Sequence, residues 1–276
     1  MLWAVICYNQ IMRDVYIVTG ASSGMGRDFA LEIAREFPGE KELWLIARRE
    51  DLLNSISVLL KEEFDNLVVR IFPLDISGEA GSEKFNETLL KEQEREEFVV
   101  KGLVNNAGFG TYGSFTETDY ERQLSMIDVN VYALTAFTYR VVPFLKTGSF
   151  IINVASLASF LPLGNFAVYG ATKAYVLSFT TALAAELKDS GVHVMSLCPG
   201  PVSTEFAKVA SKGARKEVLH GKDPLKVVRH CVRALKRKKH FAFYGLDWKF
   251  KAFICRFIGR YFGARMTYKY VKRPSN

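Results

Sequence analysis

Residues 15–26 read VYIVTGASSGMG, and this stretch gives the first indication of the fold. An apolar, β-branched run ends at Thr19, a glycine-rich turn follows, and a helical pattern begins near Met25. A turn of this kind lets a pyrophosphate approach the backbone amides at a helix N-terminus, where the helix dipole favours negative charge. A plain glycine turn between a strand and a helix is the alternative, and glycines alone do not identify the nucleotide.

The alternation of β-rich runs and helical patterns continues along the chain. Because the runs are almost continuously apolar, they predict parallel strands that are buried on both faces. The pattern predicts an α/β fold of the Rossmann type, a doubly wound parallel sheet with helices on both faces, which binds ligands at the carboxyl ends of its strands. The predicted strands cover 15–20, 42–48, 67–75, 102–108, 150–156, 192–200 and 240–245, and the predicted helices cover 25–37, 52–63, 82–97, 120–145, 167–190 and 224–236.

The composition is that of an ordinary globular protein. The chain has 276 residues, of which 49% are hydrophobic and 24% are charged. No apolar run reaches the roughly 18 residues that a membrane-spanning helix needs. The cysteines are scattered, with no C-x-x-C pair, so we expect reduced thiols in the cytoplasm and no metal site. They are Cys7, Cys198, Cys231 and Cys255.

The chain divides into three predicted parts. Residues 1–11, MLWAVICYNQI, lack the basic region and cleavage site of a signal peptide, so we interpret them as a short arm or a misassigned translation start before Met12. Residues 12–246 form the predicted catalytic domain. Residues 247–276 form a basic, aromatic helical extension.

Positive charge is concentrated in the C-terminal part of the chain, which includes this extension. From Lys212 onward there are 19 Lys and Arg residues against three acidic ones, in a chain whose net charge is +8. Aromatic residues at near-helical spacing predict one apolar stripe with bases around it. The stripe would contain Phe250, Phe253, Ile254, Phe257, Ile258, Tyr261 and Phe262, and the bases would be Lys249, Lys251, Arg256 and Arg260.

Two interpretations of this stripe stay open. It predicts either a helix that packs on the body or across a subunit interface, which we favour, or a peripheral helix on an anionic membrane. Nucleic acid is not an expected partner, because no recognition motif accompanies the bases.

The segment YGATK places Tyr169 and Lys173 four residues apart, on one face of a helix. Free tyrosine and lysine have pKa values of about 10 and 10.4, so neither works easily alone as an acid or base. A lysine cation would stabilise the tyrosinate and lower the pKa of the phenol. A surface Tyr–Lys pair is the alternative.

The end of the second predicted strand reads IARRE, with Ala47 where a site for NAD usually has an acidic residue. Arg48 and Arg49 follow, and guanidinium groups suit a 2′-phosphate. The segment therefore favours NADP(H) as the cofactor over the alternative of two solvated arginines at a helix start.

Two further strand ends carry polar residues. Asp75, in PLDIS, would accept from an adenine amino group or cap the next helix, and Ile76 follows it. The segment NNAG at 105–108 offers two asparagines and a glycine that lets a cofactor pass close.

Taken together, these motifs resemble the short-chain dehydrogenase/reductase family over roughly residues 12–245. The resemblance rests on TGASSGMG, NNAG, MIDVNVYA, INVAS, YGATK and CPGPVSTEF, in that order. It implies a single-domain Rossmann-type fold and hydride transfer between a nicotinamide and a carbonyl or alcohol. CPGPVSTEF looks closest to members of the hydroxysteroid dehydrogenase and 3-oxoacyl reductase groups.

The resemblance also implies catalytic roles. Tyr169 would be the general acid in reduction and the general base in oxidation, and Lys173 would lower its pKa and hold the nicotinamide ribose. Ser156 would hydrogen-bond the substrate oxygen. Asn130 would help to hold a water beside Lys173.

Cofactor and substrate contacts follow from the same resemblance. Gly20, Ser22, Ser23, Gly24, Met25 and Gly26 would surround the pyrophosphate, Asn106, Ala107 and Gly108 the adenosine ribose, and Pro199, Gly200, Val202 and Thr204 the nicotinamide end. Phe109, Phe160 and Phe206, with Leu161 and Val209, suggest a hydrophobic substrate such as a steroid or an oxoacyl chain, although these residues could simply pack the flap.

The sequence thus predicts an NADP(H)-dependent oxidoreductase that interconverts a carbonyl and a secondary alcohol. A homo-oligomer, a dimer or tetramer, is expected. The alternative is a catalytically silent NADP(H)-binding regulatory or scaffold protein.

Overall fold

The computed structural model describes residues 12–215, 218, 220–271 and 273. Seven parallel strands form one sheet in the order β3-β2-β1-β4-β5-β6-β7. The strands are β1 Arg13–Thr19, β2 Lys41–Ala47, β3 Leu67–Pro73, β4 Phe98–Asn105, β5 Leu145–Val154, β6 His193–Leu197 and β7 Phe241–Ala242. The predicted doubly wound α/β fold is confirmed.

Burial on both faces explains the continuous apolar runs. Along β1, Tyr16 and Val18 pack in one core cluster, and Val15 and Ile17 pack in another. The two clusters lie on opposite faces, because successive side chains of a strand point to opposite sides. Helices therefore have to cover the sheet on both sides.

The helices are α1 Gly24–Glu36, α2 Glu50–Glu63, α3 Gly78–Arg95, α4 Tyr120–Ile127, α5 Leu134–Val141, α6 Ala167–Glu186, α7 Phe206–Ala210, α8 Pro224–Lys236, α9 Leu246–Ile254 and α10 Arg260–Tyr270. The strand order reverses between β1 and β4. Connections leave these two strands in opposite directions, which opens a crevice at their carboxyl ends.

The predicted single helix over 120–145 is wrong. A π-helical segment, Asp128–Ala133, separates α4 from α5, and a 3₁₀ turn at Val142–Phe144 contains Pro143 and leads into β5. Proline cannot donate a backbone hydrogen bond, so the helix ends there. Strand β4 ends at Asn105, the first residue of NNAG, so that Asn106, Ala107 and Gly108 lie in the loop after the strand rather than within it.

The predicted C-terminal stripe is divided between two helices, because α9 ends at Ile254 and α10 begins at Arg260. Trp248 and Ala252 on α9 and Gly263 on α10 are buried against the body. Among the residues of the predicted stripe, five aromatic side chains are more than half exposed, namely Phe250, Phe253, Phe257, Tyr261 and Phe262. We call these five residues the C-terminal aromatic surface.

In the part of the chain that the structure describes, no helix has the length and apolar character to cross a membrane. The prediction for residues 1–11 lies outside the described residues.

Candidate active site

The glycine-rich turn after β1 brings two backbone segments into close contact. Gly20 and Gly24 have positive φ values of 65° and 53°, a conformation that disfavours side chains. The side-chain amide of Asn106 donates to the carbonyl oxygens of Thr19 at 3.0 Å and Gly20 at 3.3 Å, which ties the turn to the loop after β4. A Cβ on Gly26 would collide with the carbonyl oxygen of Gly20. The turn therefore presents backbone, with α1 beginning at Gly24, to the strand ends.

A cleft of about 860 Å³ runs along the carboxyl ends of the strands. All the predicted cofactor residues except Gly26 line this cleft, and so do Ser156, Phe109, Leu161, Phe206 and Val209. Gly26 packs behind the turn. The sequence prediction therefore converges on one cavity, large enough for an extended ligand.

Phe160 is not among the lining residues. Its ring packs against Phe243, with centroids 5.7 Å apart, and it contacts the cluster around Val176 and Cys198. The preceding 3₁₀ turn, Leu157–Ser159, sends Phe160 inward and leaves its neighbour Leu161 on the cleft wall. Leu161, rather than the predicted Phe160, therefore lines the cleft.

The two arginines after β2 have different surroundings. Arg49 donates to the hydroxyls of Ser22 at 3.2 Å and Ser23 at 2.8 Å, and it forms an ion pair with Glu205 at 3.0 Å. Arg48 is exposed, and no carboxylate among the described residues lies within ion-pair distance of it. Its positive charge still helps to lower the pKa of Asp75, although the hydrogen bonds from Ser77 lower it more, against a burial effect that raises it.

Asn130 lies behind the cleft, at the centre of the π-helical segment. Its side chain accepts from the backbone amide of Phe109 at 3.1 Å and donates to the carbonyl of Phe109 at 2.9 Å and to the hydroxyl of Thr172 at 3.1 Å. The side chain thus fixes the loop after β4 to α6, and protein groups engage both its oxygen and its nitrogen. A Cβ on Gly108 would lie 2.9 Å from the Asn130 oxygen and 3.4 Å from the Lys173 nitrogen, so glycine permits this approach.

Tyr169, Ser156 and Lys173 converge at one end of the cleft. All three are at least nine-tenths buried. The hydroxyl of Ser156 donates to the carbonyl oxygen of Pro199 at 3.4 Å and accepts from the backbone amide of Ala158 at 3.1 Å, and it lies close enough to the phenol of Tyr169 to lower its pKa. The Lys173 ammonium lies 5.9 Å from the centre of the Tyr169 ring and donates to the carbonyl oxygen of Val154 at 2.7 Å. Strand β5 ends at Val154 and α6 carries the tyrosine and the lysine, so the sheet and one helix assemble the group.

The expected lowering of the pKa of Tyr169 by Lys173 is not what this geometry produces. Burial raises the pKa of the phenol well above its usual value, and the nearby hydroxyl of Ser156 opposes that rise. Burial also lowers the pKa of Lys173 to about 8, because a cation is costly away from water. The phenol therefore stays protonated at neutral pH, which suits it to donate a proton.

Several cleft residues escaped the sequence prediction. Phe166 stacks on Tyr169 with ring centroids 4.1 Å apart, and its spacing of three residues before Tyr169 could have indicated a shared helix face. Glu205 and Arg273 also line the cleft. Glu205 lies within the motif CPGPVSTEF, between the predicted contacts Thr204 and Phe206, so that motif could have indicated it, whereas Arg273 comes from a segment distant in sequence and has no local pattern.

Comparison with known proteins gives a consistent result. The family model described as short chain dehydrogenase matches residues 14–215. An uncharacterized oxidoreductase of Staphylococcus saprophyticus is 32% identical over 234 residues, which cover 84% of this chain and 94% of the relative.

Two solved structures show the same architecture. A short-chain dehydrogenase from Sphingobium yanoikuyae in complex with NADPH superposes with a TM-score of 0.74 at 26% identity, covering 87% of this chain and 92% of the other. A short-chain dehydrogenase/reductase from Burkholderia phymatum in complex with NAD has a TM-score of 0.73 at 21% identity, covering 97% and 98% of the two chains. At this lower identity the likeness shows the fold alone.

The buried ammonium of Lys173 predicts a pH-dependent stability. Its pKa is about 8 in the folded protein and about 10.4 in an unfolded chain, so unfolding takes up a proton between these values. The stability penalty is fully present below pH 8 and disappears as the pH rises toward 10.4. In urea unfolding, the free energy of the wild type relative to Lys173→Met should rise by about 1 kcal/mol per pH unit between pH 8 and 10.

Lys188→Met, beyond the end of the same helix, is the control, and its difference from the wild type should stay constant with pH. If the free energies of unfolding of the wild type and Lys173→Met changed with pH in parallel, the burial of a charged Lys173 would be contradicted.

Proposed function

This chain belongs to the short-chain dehydrogenase family, and from that membership we propose that it is an NADP(H)-dependent oxidoreductase that interconverts a carbonyl and a secondary alcohol on a hydrophobic substrate. Oxidoreductase chemistry on alcohol or carbonyl groups follows from the family. The observation that carries the proposal is the phenol of Tyr169, buried at one end of the cleft beside Ser156 and Lys173.

The residues present fit a nicotinamide dinucleotide. The Gly20–Gly26 turn offers backbone at the start of α1, where a phosphate is stabilised. Gly108 leaves room beside Lys173, and the cleft is continuous from this turn to Tyr169. When bound, the nicotinamide supplies or accepts the hydride.

In reduction, the protein itself supplies a proton and stabilises the negative charge that develops on the carbonyl oxygen. Tyr169 donates its proton to the carbonyl oxygen, and Ser156 hydrogen-bonds the same oxygen as negative charge develops there. Tyr169 is protonated at neutral pH, so it carries the proton that this direction requires. The Lys173 ammonium, 5.9 Å from the ring centre, then attracts the negative charge left on the phenolate.

The preference for NADP(H) rests on the charge at the end of β2. Ala47 is apolar where an acidic residue would hold a ribose 2′-hydroxyl, and Arg48 lines the cleft without a carboxylate partner among the described residues. A 2′-phosphate would supply the missing negative charge. Arg49 holds the serine hydroxyls of the turn, so Arg48 is the better candidate for the phosphate contact.

The proposed substrate is hydrophobic because aromatic side chains surround Tyr169. Phe166 and Phe206 lie with ring centroids 4.1 and 5.4 Å from that of Tyr169, and Phe109 and Leu161 line the same region. A steroid or an oxoacyl compound would fill such a wall by apolar contact.

The alternative is a regulatory or scaffold protein that binds NADP(H) without turnover. Such a protein has no chemical need for a serine, a tyrosine and a lysine buried together at one end of the cleft. A protein that binds NADPH yet reduces no member of a panel of steroids, oxoacyl thioesters and aromatic ketones would favour this alternative.

We further propose a cytoplasmic homo-oligomer, a dimer or tetramer, in which residues 12–246 are the catalytic domain and 247–276 its extension. Cys198, Cys231 and Cys255 are free thiols, which agrees with a reducing compartment. Tyr139 on α5 is 80% exposed and offers an aromatic contact for a second copy.

The C-terminal aromatic surface is a second candidate contact for another copy of the chain, and an anionic membrane is its alternative because bases surround it. Sedimentation with anionic vesicles would detect membrane binding, and the mass of the protein in solution would detect its association with a second copy.

The replacement Tyr169→Phe tests the acid directly. It removes the hydroxyl and keeps the ring that stacks on Phe166, so NADPH reduction of carbonyls should fall about 100- to 10,000-fold while NADPH binding persists. Tyr175→Phe is the matched control, since it removes a phenol on the same helix whose hydroxyl bonds Thr135. Full activity in Tyr169→Phe would exclude Tyr169 as the proton donor.

The replacement Arg48→Asp tests the cofactor preference. The new carboxylate would repel a 2′-phosphate and accept from a 2′-hydroxyl, so the ratio of kcat/KM for NADPH over NADH should fall about tenfold or more. Lys61→Asp, an equal charge change on α2, should leave the ratio unchanged. An unchanged ratio in Arg48→Asp would mean that the phosphate lies elsewhere.

A further inference from the structure

The end of the chain returns to the substrate end of the cleft. Arg273 and Val271 line the cleft beyond α10, although they lie about a hundred residues from Tyr169 in sequence. Two hydrogen bonds hold α10 to the loop before α6, because Gly164 donates to the hydroxyl of Thr267 at 2.9 Å and Asn165 donates to the carbonyl of Tyr268 at 3.0 Å. The position of Arg273 is thus tied to the loop that leads into the catalytic helix.

The Arg273 guanidinium is half-buried and in contact with neutral groups. It donates to the carbonyl oxygen of Gly164 at 2.8 Å and lies 5.2 Å from the centre of the Phe166 ring. Among the residues that the structure describes, no carboxylate forms an ion pair with it. Burial lowers the pKa of Arg273, and the nearby positive charge of Arg215 adds to that effect.

The cleft is electrically uneven at this end. Arg215, which lies 5.6 Å from the Tyr112 ring centre, and Lys251 on α9 line the cleft together with Arg273. The acidic lining residues are Asp75 and Glu205, which lie beside Arg48 and Arg49 at the nucleotide end. Arg273 is half-buried without an ion-pair partner among the described residues, and a guanidinium so placed is costly unless an anion accompanies it.

We propose that the substrate carries an anionic group, a carboxylate or a sulfonate, and that Arg273 binds it while the carbonyl lies at Tyr169. This inference rests on the proposed oxidoreductase function and specifies its substrate class as an apolar carbonyl compound with an anionic end. Guanidinium is suited to such oxyanions because its fork of N–H donors matches two oxygen atoms.

The geometry gives the spacing between the anion-binding Arg273 and the phenol of Tyr169. Arg273 lies over Phe166, and Phe166 stacks on Tyr169 at 4.1 Å, so a single aromatic ring separates the guanidinium from the phenol. A substrate whose anion and carbonyl are joined by a short apolar chain or one ring would reach both. The wall between them, which includes Phe109 and Phe206, is apolar, in agreement with a hydrophobic middle portion.

The test compares matched pairs of carbonyl substrates. Each pair contains a carboxylate and its methyl ester, for example 4-acetylbenzoate with methyl 4-acetylbenzoate, and the corresponding 3-(acetylphenyl)propanoates, whose ketones are reduced to secondary alcohols. With NADPH, the wild type should show kcat/KM about tenfold or more higher for the carboxylates. Arg273→Gln should lose this preference, mainly through a higher KM for the carboxylates, and should keep its rate on the esters. Arg273→Lys should retain part of the preference.

Thr267→Ala is the structural control, since it removes a tether of the same segment and keeps the guanidinium. It should lower the rates on acid and ester alike and leave their ratio unchanged. If Arg273→Gln lowers the rates on acid and ester by the same factor, as Thr267→Ala does, Arg273 only holds the segment in place and the inference fails.

Direct binding provides a readout that does not depend on turnover. Calorimetry with 1-naphthoate and NADP⁺ should show binding to the wild type and at least tenfold weaker binding to Arg273→Gln. Equal use of acids and esters by the wild type would overturn the anionic-substrate inference while the proposed oxidoreductase function stands. Failure to reduce any carbonyl compound, with NADPH bound, would overturn the proposed function and this inference with it.

Discussion

The hydrogen bond from the Lys173 ammonium to the carbonyl oxygen of Val154, at 2.7 Å, joins α6 to the central sheet. It fixes the rotation of α6 relative to β5, and that rotation places Tyr169 next to Ser156. A buried ammonium has to find acceptors, since an unpaired one would be costly. The same interaction thus holds α6 on β5 and brings Tyr169, Ser156 and Lys173 together at one end of the cleft.

The sequence predicted the sheet, the glycine turn and the Ser156–Tyr169–Lys173 group well, because each depends on local periodicity or on a motif. It predicted the electrostatics of the group less well. An i, i+4 spacing shows that two side chains share a face, but it gives neither their depth of burial nor the acceptor that the lysine finds. Burial therefore reversed the expected pKa of the phenol.

Other differences have a similar origin. Phe160 and Leu161 are adjacent apolar residues, and only the backbone turn at 157–159 determines which of them faces the cleft. The π-helical segment around Asn130 interrupts a pattern that looks helical throughout. Arg273 was beyond sequence reasoning, because its site exists only when the chain end folds back on the loop before α6.

The resulting cleft has positive charge at both ends and aromatic rings between them, with Arg48 near the glycine turn and Arg273 near the phenol. The central claim is that a dinucleotide lies along the strand ends with its nicotinamide beside Tyr169. A crystal structure of the chain with NADP⁺ tests it most directly. The account predicts the phosphates at the Gly20–Gly26 turn and the nicotinamide C4 facing the space in front of the Tyr169 hydroxyl, where a substrate carbon would lie about 3–3.5 Å away. A dinucleotide bound elsewhere, or a Tyr169 hydroxyl turned away from the nicotinamide, would contradict it.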